Sequence, residues 1–226
     1  LDIGGVLMVH YNVVVMTPGS SFVPEYVKSL IETTKVLNER GISYHLVSRY
    51  SSFVPTAREL TALDSSSHDF AVTEIAQGRF TYDKLMWIDS DIEWTPEDFL
   101  RLYESELDIV SGLYVLDQAG TVAAQLPDTR GVPTRMNKVE FILHEDPVEV
   151  GGVGFGFVCI KKGVFEKIPR PWFLIGKIKW SEDSEMRVNV GEDYSWCGNA
   201  QRVGFKIWVD PKVKLLHHKS TVYRIE

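Results

Sequence analysis

The 226-residue chain predicts an α/β architecture, a mostly parallel central sheet flanked by helices. Three observations carry that expectation. Apolar, β-branched runs alternate with helical periodicity through the first half. The links between them are short. Several of the runs end in polar residues of the kind that rim a ligand site at the carboxyl edge of a parallel sheet.

The first run, YNVVVMTPGS (11–20), reads as a buried strand closed by a turn at Pro18 and Gly19. Val27, Leu30, Ile31, Thr34 and Leu37 then recur at helical spacing, with Pro24 at an early position and Gly41 suited to the stop. ISYHLV (42–47) is a second strand, and residues 54–80 read as mostly helical with a break around DSSSHD. KLMWI (84–88) is a third strand. Thr95, Pro96, Glu97 and Asp98 make a helix start, with threonine as N-cap, proline at N1 and acids in the first turn. LDIVSGLYV (107–115) returns as a strand. Between 117 and 150 the pattern loosens into polar pieces and proline-marked turns. VGGVGFGFVCIKKGVF (150–165) is a glycine-rich turn entering a strand, WSEDSEMRVNV (180–190) is an aperiodic acidic loop expected to be mobile, and EDYSWCGNAQRVG (192–204) is a helix stopped by Gly204. FKIWVDP (205–211) is the last strand. Without repeats or a low-complexity linker, residues 1–226 are expected to form one domain.

Composition narrows the function. A net charge of −7 with no block of Lys or Arg argues against a nucleic-acid surface. Two cysteines, Cys159 and Cys197, lie in neither C-x-x-C nor C-x-x-H spacing, which argues against a thiolate zinc site and for a reducing compartment. The apolar stretch VVVM (13–16) is far too short to span a bilayer and no basic segment precedes it, so a cytoplasmic protein with no transmembrane segment is expected.

Asp89 and Asp91 follow the third strand directly, with Ser90 between them. Residues two apart in extended chain point the same way, so both carboxylates can face one ligand, and hard oxygen donors on a loop suit Mg²⁺ or Mn²⁺. The competing reading is a solvated strand-end turn. Glu97 and Asp98 are helix-start charges. Glu192 and Asp193 also open a helix, but Gly191 and the aperiodic stretch before them point to a site rim, where a carboxylate serves as general base toward an acceptor hydroxyl. His217 and His218 are adjacent in extended chain and face opposite ways, so at most one is a ligand. Arg58, early in a helix, meets a diphosphate or pairs with Glu59 or Asp64. GGVGFGF (151–157) departs from G-x-G-x-x-G, which excludes a dinucleotide fingerprint; its glycines, Gly152 among them, either admit close approach of a sugar or make a tight hairpin.

Taken in order, VVVMTP (13–18), TAREL (56–60), MWIDSDIEWTPEDFLRL (86–102), GGVGFGFVCIKKGVFEKI (151–168) and GEDYSWCGNAQRVGFKIWVDPKVKLLHH (191–218) resemble glycosyltransferases of the GT-A fold, in particular the family-2-like group of bacteria and phages. The resemblance implies that residues 1–115 bind a UDP- or GDP-linked sugar and that 116–226 face the acceptor, a carbohydrate or other hydroxyl compound. It places the nucleotide sugar near Thr17, Pro18, Ser48, Arg58, Asp89 and Ser90. It makes Asp91 the main ligand of Mn²⁺ or Mg²⁺, with Asp89 and His217 beside it, and Asp193 the base of an inverting hexosyl transfer, next to Glu192. Two departures stand out: Glu59 where the family often has Asn, and Ser48-Arg49 where many relatives place an Asp that reads uracil. Trp172, Phe173 and Trp180 are candidate sugar-stacking surfaces. A nucleotidyltransferase would carry a glycine- and basic-rich loop after the first strand, and TPGSSFVPEY has no Lys or Arg. A non-catalytic sugar- or nucleotide-binding module has no need of Asp89, Asp91, Asp193 and His217 together.

Overall fold

The protein is described by a computed structural model covering residues 8–67, 71–126, 134–141, 143–179 and 185–219. In chain order the elements are β1 (Val9–Met16), α1 (Pro24–Glu39), β2 (Tyr44–Val47), α2 (Val54–Leu63), β3 (Phe80–Ile88), β4 (Ile92–Glu93), α3 (Pro96–Glu104) and β5 (Ile109–Leu113). There follow β6 (Thr121–Gln125), β7 (Arg135–Asn137), β8 (Val148–Val150), β9 (Gly152–Val153), β10 (Phe157–Lys161), β11 (Gly176–Lys179), β12 (Arg187–Val190), α4 (Glu192–Arg202), β13 (Ile207–Lys214) and β14 (Leu216–His217).

Seven strands form the main sheet in the order β2-β1-β3-β10-β5-β13-β8. β2, β1 and β3 run parallel, as do β5 and β13; β10 enters reversed between β3 and β5, and β8 reverses at the edge. That reversal matters for the site. It brings the glycine turn before β10 to the same sheet edge as the carboxyl end of β3, where the amide of Asp89 donates to the carbonyl of Gly156 at 3.0 Å.

The continuous apolar runs of β1 and β3 follow from burial on both faces. Alternate residues serve different cores. Val14, Met16, Leu85 and Trp87 pack with Leu63 of α2 and with Trp196 and Ala200 of α4. Val13, Val15, Met86 and Ile88 pack with Tyr26 and Leu37 of α1 and with Phe99 and Leu102 of α3.

Two expectations are corrected. The helix expected through much of 54–80 ends at Leu63, where Asp64 takes a left-handed conformation at φ 48°, and the third strand begins four residues early, at Phe80. The stretch 180–190 is not loop throughout: Arg187–Val190 pairs antiparallel with Gly176–Lys179. Trp180 and residues 181–184 lie outside the described residues. Among the described residues no helix is long and apolar enough to cross a membrane, and Cys159 and Cys197 are buried free thiols.

The start of α3 behaves as its sequence says. The Asp98 amide donates to Thr95 Oγ1 at 3.2 Å and the Thr95 amide to Asp98 Oδ2 at 3.0 Å, a reciprocal cap. Thr95→Ala should therefore lower unfolding free energy by about 1 kcal/mol, read from urea denaturation, since it strands an amide of the first turn. A midpoint equal to the parent's would mean that solvent satisfies this helix start.

Candidate active site

Asp91 sits in the turn between β3 and β4. β14 pairs antiparallel with β4, His217 opposite Ile92, and the His218 amide donates to the Asp91 carbonyl at 2.8 Å. This pairing sets His217 Nε2 3.1 Å from Asp91 Oδ2, while Nδ1 lies 3.0 Å from the Val115 carbonyl oxygen. The Tyr114 ring meets the imidazole edge-on, centroids 5.5 Å apart. His218 goes the other way, its Nε2 2.6 Å from Glu93 Oε2.

A carbonyl only accepts, so Nδ1 of His217 carries the proton. In the neutral ring Nε2 is then a bare lone pair aimed at a carboxylate. Two acceptors at hydrogen-bond distance repel unless a proton or a cation lies between them. Asp91 accordingly raises the His217 pKa, through its hydrogen bond first, against the opposing effect of burial. The same geometry suits a divalent cation held by one imidazole nitrogen and one carboxylate, with further oxygens from a ligand. Asp89, expected as a third ligand, faces elsewhere, and among the described residues no three His, Cys, Asp or Glu side chains converge on one point.

What Asp89 faces is Arg58. Nη1 lies 3.0 Å from Asp89 Oδ1 and Nη2 donates to Oδ2 at 3.1 Å, while Nε donates to Glu192 Oε1 at 3.0 Å. The Arg58 side chain is 5% exposed, and its guanidinium lies 5.5 Å from the Phe155 ring centroid. Burial works against the charge of Arg58, yet Asp89 and Glu192 hold its pKa well above the ordinary arginine value. Burial likewise raises the Asp89 carboxyl, with Asp91 and Glu192 adding to the rise and Arg58 pulling against it. The short-range partners expected for Arg58 are engaged elsewhere. Glu59, where the resembling family often has Asn, is buried and accepts from Arg170 Nε at 2.8 Å and from the amides of Trp172 and Phe173 at 3.0 and 3.1 Å. Asp64 binds Arg49 and Arg79. Arg58 is thus a clamp between the end of β3 and the start of α4, its charge already met by carboxylates, and Glu192 belongs to that clamp.

Asp193 follows at the start of α4. Its Oδ1 accepts from the Tyr194 amide at 2.8 Å, and a Cβ on Gly191 would come within 2.8 Å of the same oxygen, so the glycine lets the carboxylate fold over the helix start. Burial first, then Glu192, raises its pKa to about 6, with Arg58 opposing.

Beside these groups opens a cleft of about 460 Å³, walled by the loops after β1 (Pro18–Ser21) and β2 (Tyr50–Ser52) and by the first turn of α2, with Asp89, Ser90 and Asp91 at its floor. It lies beyond the carboxyl ends of parallel strands, where such sheets bind ligands. Five serines line it, and its one basic group is the neutralised Arg58.

Of the residues expected to meet a nucleotide sugar, Pro18, Arg58, Asp89 and Ser90 reach this cleft. Thr17 is fully buried and Ser48 is absent from the lining. Gly152 packs against α4: a Cβ there would meet the Tyr194 ring at 2.9 Å. Cβ atoms on Gly154 and Gly156 would meet Tyr114 at 2.3 and 2.6 Å, and the Gly156 amide donates to the Tyr114 hydroxyl at 3.1 Å. These glycines seat two tyrosines, not a sugar. Trp172 and Phe173 are core residues. Sequence reasoning missed Tyr114 and the Val115 carbonyl, which orient His217. The two glycines Gly154 and Gly156, in the turn between β9 and β10, were the available sign of a close approach there.

No protein-family model and no curated protein matches the chain. Solved structures do. The crystal structure of A197 from STIV aligns with a TM-score of 0.52 at 22% identity, over 95% of this chain and 98% of that one. GalNAc-T7, solved with UDP, GalNAc and Mn²⁺, aligns with a TM-score of 0.50 at 11% identity over 96% of this chain, which spans 44% of that one. A Drosophila β1,4-galactosyltransferase 7 mutant, solved with manganese, UDP-Gal and xylobiose, gives 0.49 at 12% identity, over 94% of this chain and 72% of that one. The fold is the GT-A fold of the glycosyltransferases.

Proposed function

We propose that the chain is a metal-dependent glycosyltransferase moving a sugar from a nucleotide-diphosphate sugar to an acceptor hydroxyl. The observation that carries this reading is the His217–Asp91 pair, two acceptors poised for a cation, at the rim of a hydroxyl-lined cleft with no uncommitted basic side chain. A diphosphate bound there needs positive charge, and the one arginine lining the cleft is taken. The missing cation also counts against the nucleotidyltransferase alternative, whose phosphate loop would bring it.

Asp91 and His217 would hold Mn²⁺ or Mg²⁺, which when bound offsets the charge of the departing diphosphate. The serine hydroxyls and loop amides of the cleft bind the donor, a UDP- or GDP-linked sugar. Every residue lining the cleft falls between Pro18 and Asp91, in keeping with a donor half at 1–115 of a single 1–226 domain. Asp193, from the acceptor half, takes the proton of the attacking hydroxyl; with a pKa near 6 it is ionised at neutral pH and more basic than an ordinary aspartate. Arg58 and Glu192 hold that helix start against the end of β3. A reducing, cytoplasmic setting belongs to the same reading and fits the two free thiols.

Thermal-shift measurements test the metal pair. UDP or GDP with Mn²⁺, at about a hundredfold excess over Kd, should stabilise the parent by about 2.7 kcal/mol. Asp91→Asn and His217→Ala should abolish the Mn²⁺-dependent part, and His218→Ala should keep it. Lower pH should weaken the metal response, because a protonated imidazole cannot ligate; with its pKa raised by Asp91, His217 should lose metal at a higher pH than an ordinary histidine. Nucleotide stabilisation indifferent to EDTA would sink the proposal.

A further inference from the structure

We infer that the acceptor presents its hydroxyl on an uncharged, apolar aglycone, a hydrocarbon chain seated in a groove beside the donor cleft. This deepens the transferase reading and rests on it.

The groove, about 420 Å³, lies between the first turn of α2 and residues 171–175. Phe53, Leu174 and Ile175 line it, each about half exposed, with Pro55 and Thr56 alongside and the buried ring of Phe173 at its base. Single exposed apolar side chains are ordinary; several gathered around one concavity are not. Glu59 is the one charged residue in the lining, and it is fully engaged, Oε1 by Arg170 and Oε2 by two backbone amides. No charge is left to receive a phosphate, a carboxylate or an ionic peptide. The occupant is neutral and is held by leaving water.

Its position relates it to the reaction. The first turn of α2 forms a shared wall: Val54, Ala57 and Arg58 face the donor cleft, whereas Phe53, Pro55, Thr56 and Glu59 face the groove. The opposite wall ends at Ile175, and the next residue, Gly176, lies against α4, where a Cβ would approach Ser195 Oγ at 2.8 Å. Ser195 is one turn from Glu192, which Arg58 ties to the cleft floor. The groove therefore shares the first turn of α2 with the donor cleft, and the strand that leaves it, β11, packs on the helix that carries Asp193. A group bonded to the attacking hydroxyl occupies that place.

The test is a binding series on the full chain with methyl, butyl, hexyl and octyl β-glucosides, each below its micelle concentration, alone and with UDP and Mn²⁺. Affinity should rise from butyl to octyl by about two- to fourfold per methylene, the upper value being that for full removal from water. The rise should persist when UDP and Mn²⁺ are bound, because the two sites are adjacent and separate. Phe53→Ser, which puts a preferred N-cap at the start of α2, combined with Leu174→Ser should flatten the series and leave the UDP–Mn²⁺ response intact. Affinity independent of chain length in the parent overturns the inference, whatever the variants do. So does displacement of octyl glucoside by UDP, or a concentration-dependent dimer or binding to neutral phosphatidylcholine vesicles that the double variant abolishes while the chain-length series is flat. A steep series without any UDP or GDP response keeps the apolar groove and removes the transferase reading.

Discussion

Arg58→Met is expected to destabilise the protein by about 3 kcal/mol, the low end of the range for breaking a buried ion pair from one side. The low end applies because Asp89 keeps some contact with solvent, at 31% side-chain exposure. Methionine fills much of the space against Phe155 but leaves Asp89 and Glu192 side by side with no counter-charge. Arg58→Lys should fall between, since one ammonium cannot reproduce a fork that serves two carboxylates at once. Two further measurements identify the cause. Adding Glu192→Gln to Arg58→Met should recover part of the loss, giving a coupling energy that a purely phosphate-binding arginine would not show. The deficit should also narrow in acid, where protonation removes the charges Arg58 was holding. A methionine variant with parental stability and weakened donor binding would return Arg58 to the nucleotide site.

That clamp also shows where the sequence was legible. The apolar runs of β1 and β3, the D-x-D after β3 and the Thr95–Asp98 cap are local patterns, set by residues within a turn or a strand of one another. The alternation of an extended chain said only that His217 and His218 face opposite ways, and it was the resemblance that pointed to His217. The partners of Arg58 stand 31 and 134 residues away, and nothing local marks them; at short range the chain offered Glu59 and Asp64, both of which fold into other networks. The glycine run announced a close approach without naming what approaches, because Tyr114 and Tyr194 come from distant elements. Chain order could not show β10 reversing into the gap between β3 and β5, since a reversed strand reads the same as a parallel one. β12 was missed for a related reason: four residues paired with one short strand carry little apolar alternation.

Asp193→Asn should lower sugar transfer by about a hundredfold or more, the scale of a lost general base, while leaving the affinity for nucleotide and Mn²⁺ near that of the parent. Its effect on stability separates this role from a plain helix-start charge. If Asp193 served only the helix dipole, neutralising it would cost about 0.3–1 kcal/mol. The surroundings predict the opposite sign. Burial and Glu192 raise the folded-state pKa to about 6, above the unfolded value of 3.8, so the folded protein favours the protonated form. That contribution is fully present below the unfolded pKa and is lost as pH rises through about 6, leaving an ionised carboxylate that is a burden at pH 7. Asparagine is neutral at every pH and keeps an oxygen for the Tyr194 amide, so the variant should be at least as stable as the parent at pH 7 and should show a flatter stability profile between pH 4 and 7. The same titration should appear in turnover. The parent's rate should fall on the acid side with a component near pH 6 beside the limb from metal loss at His217. Any residual rate of the variant should keep only the His217 limb, which added Mn²⁺ displaces. Lower stability at pH 7 with an unchanged acid limb would make Asp193 a helix-start residue and move the base elsewhere. A large loss of donor affinity would place it in the nucleotide site.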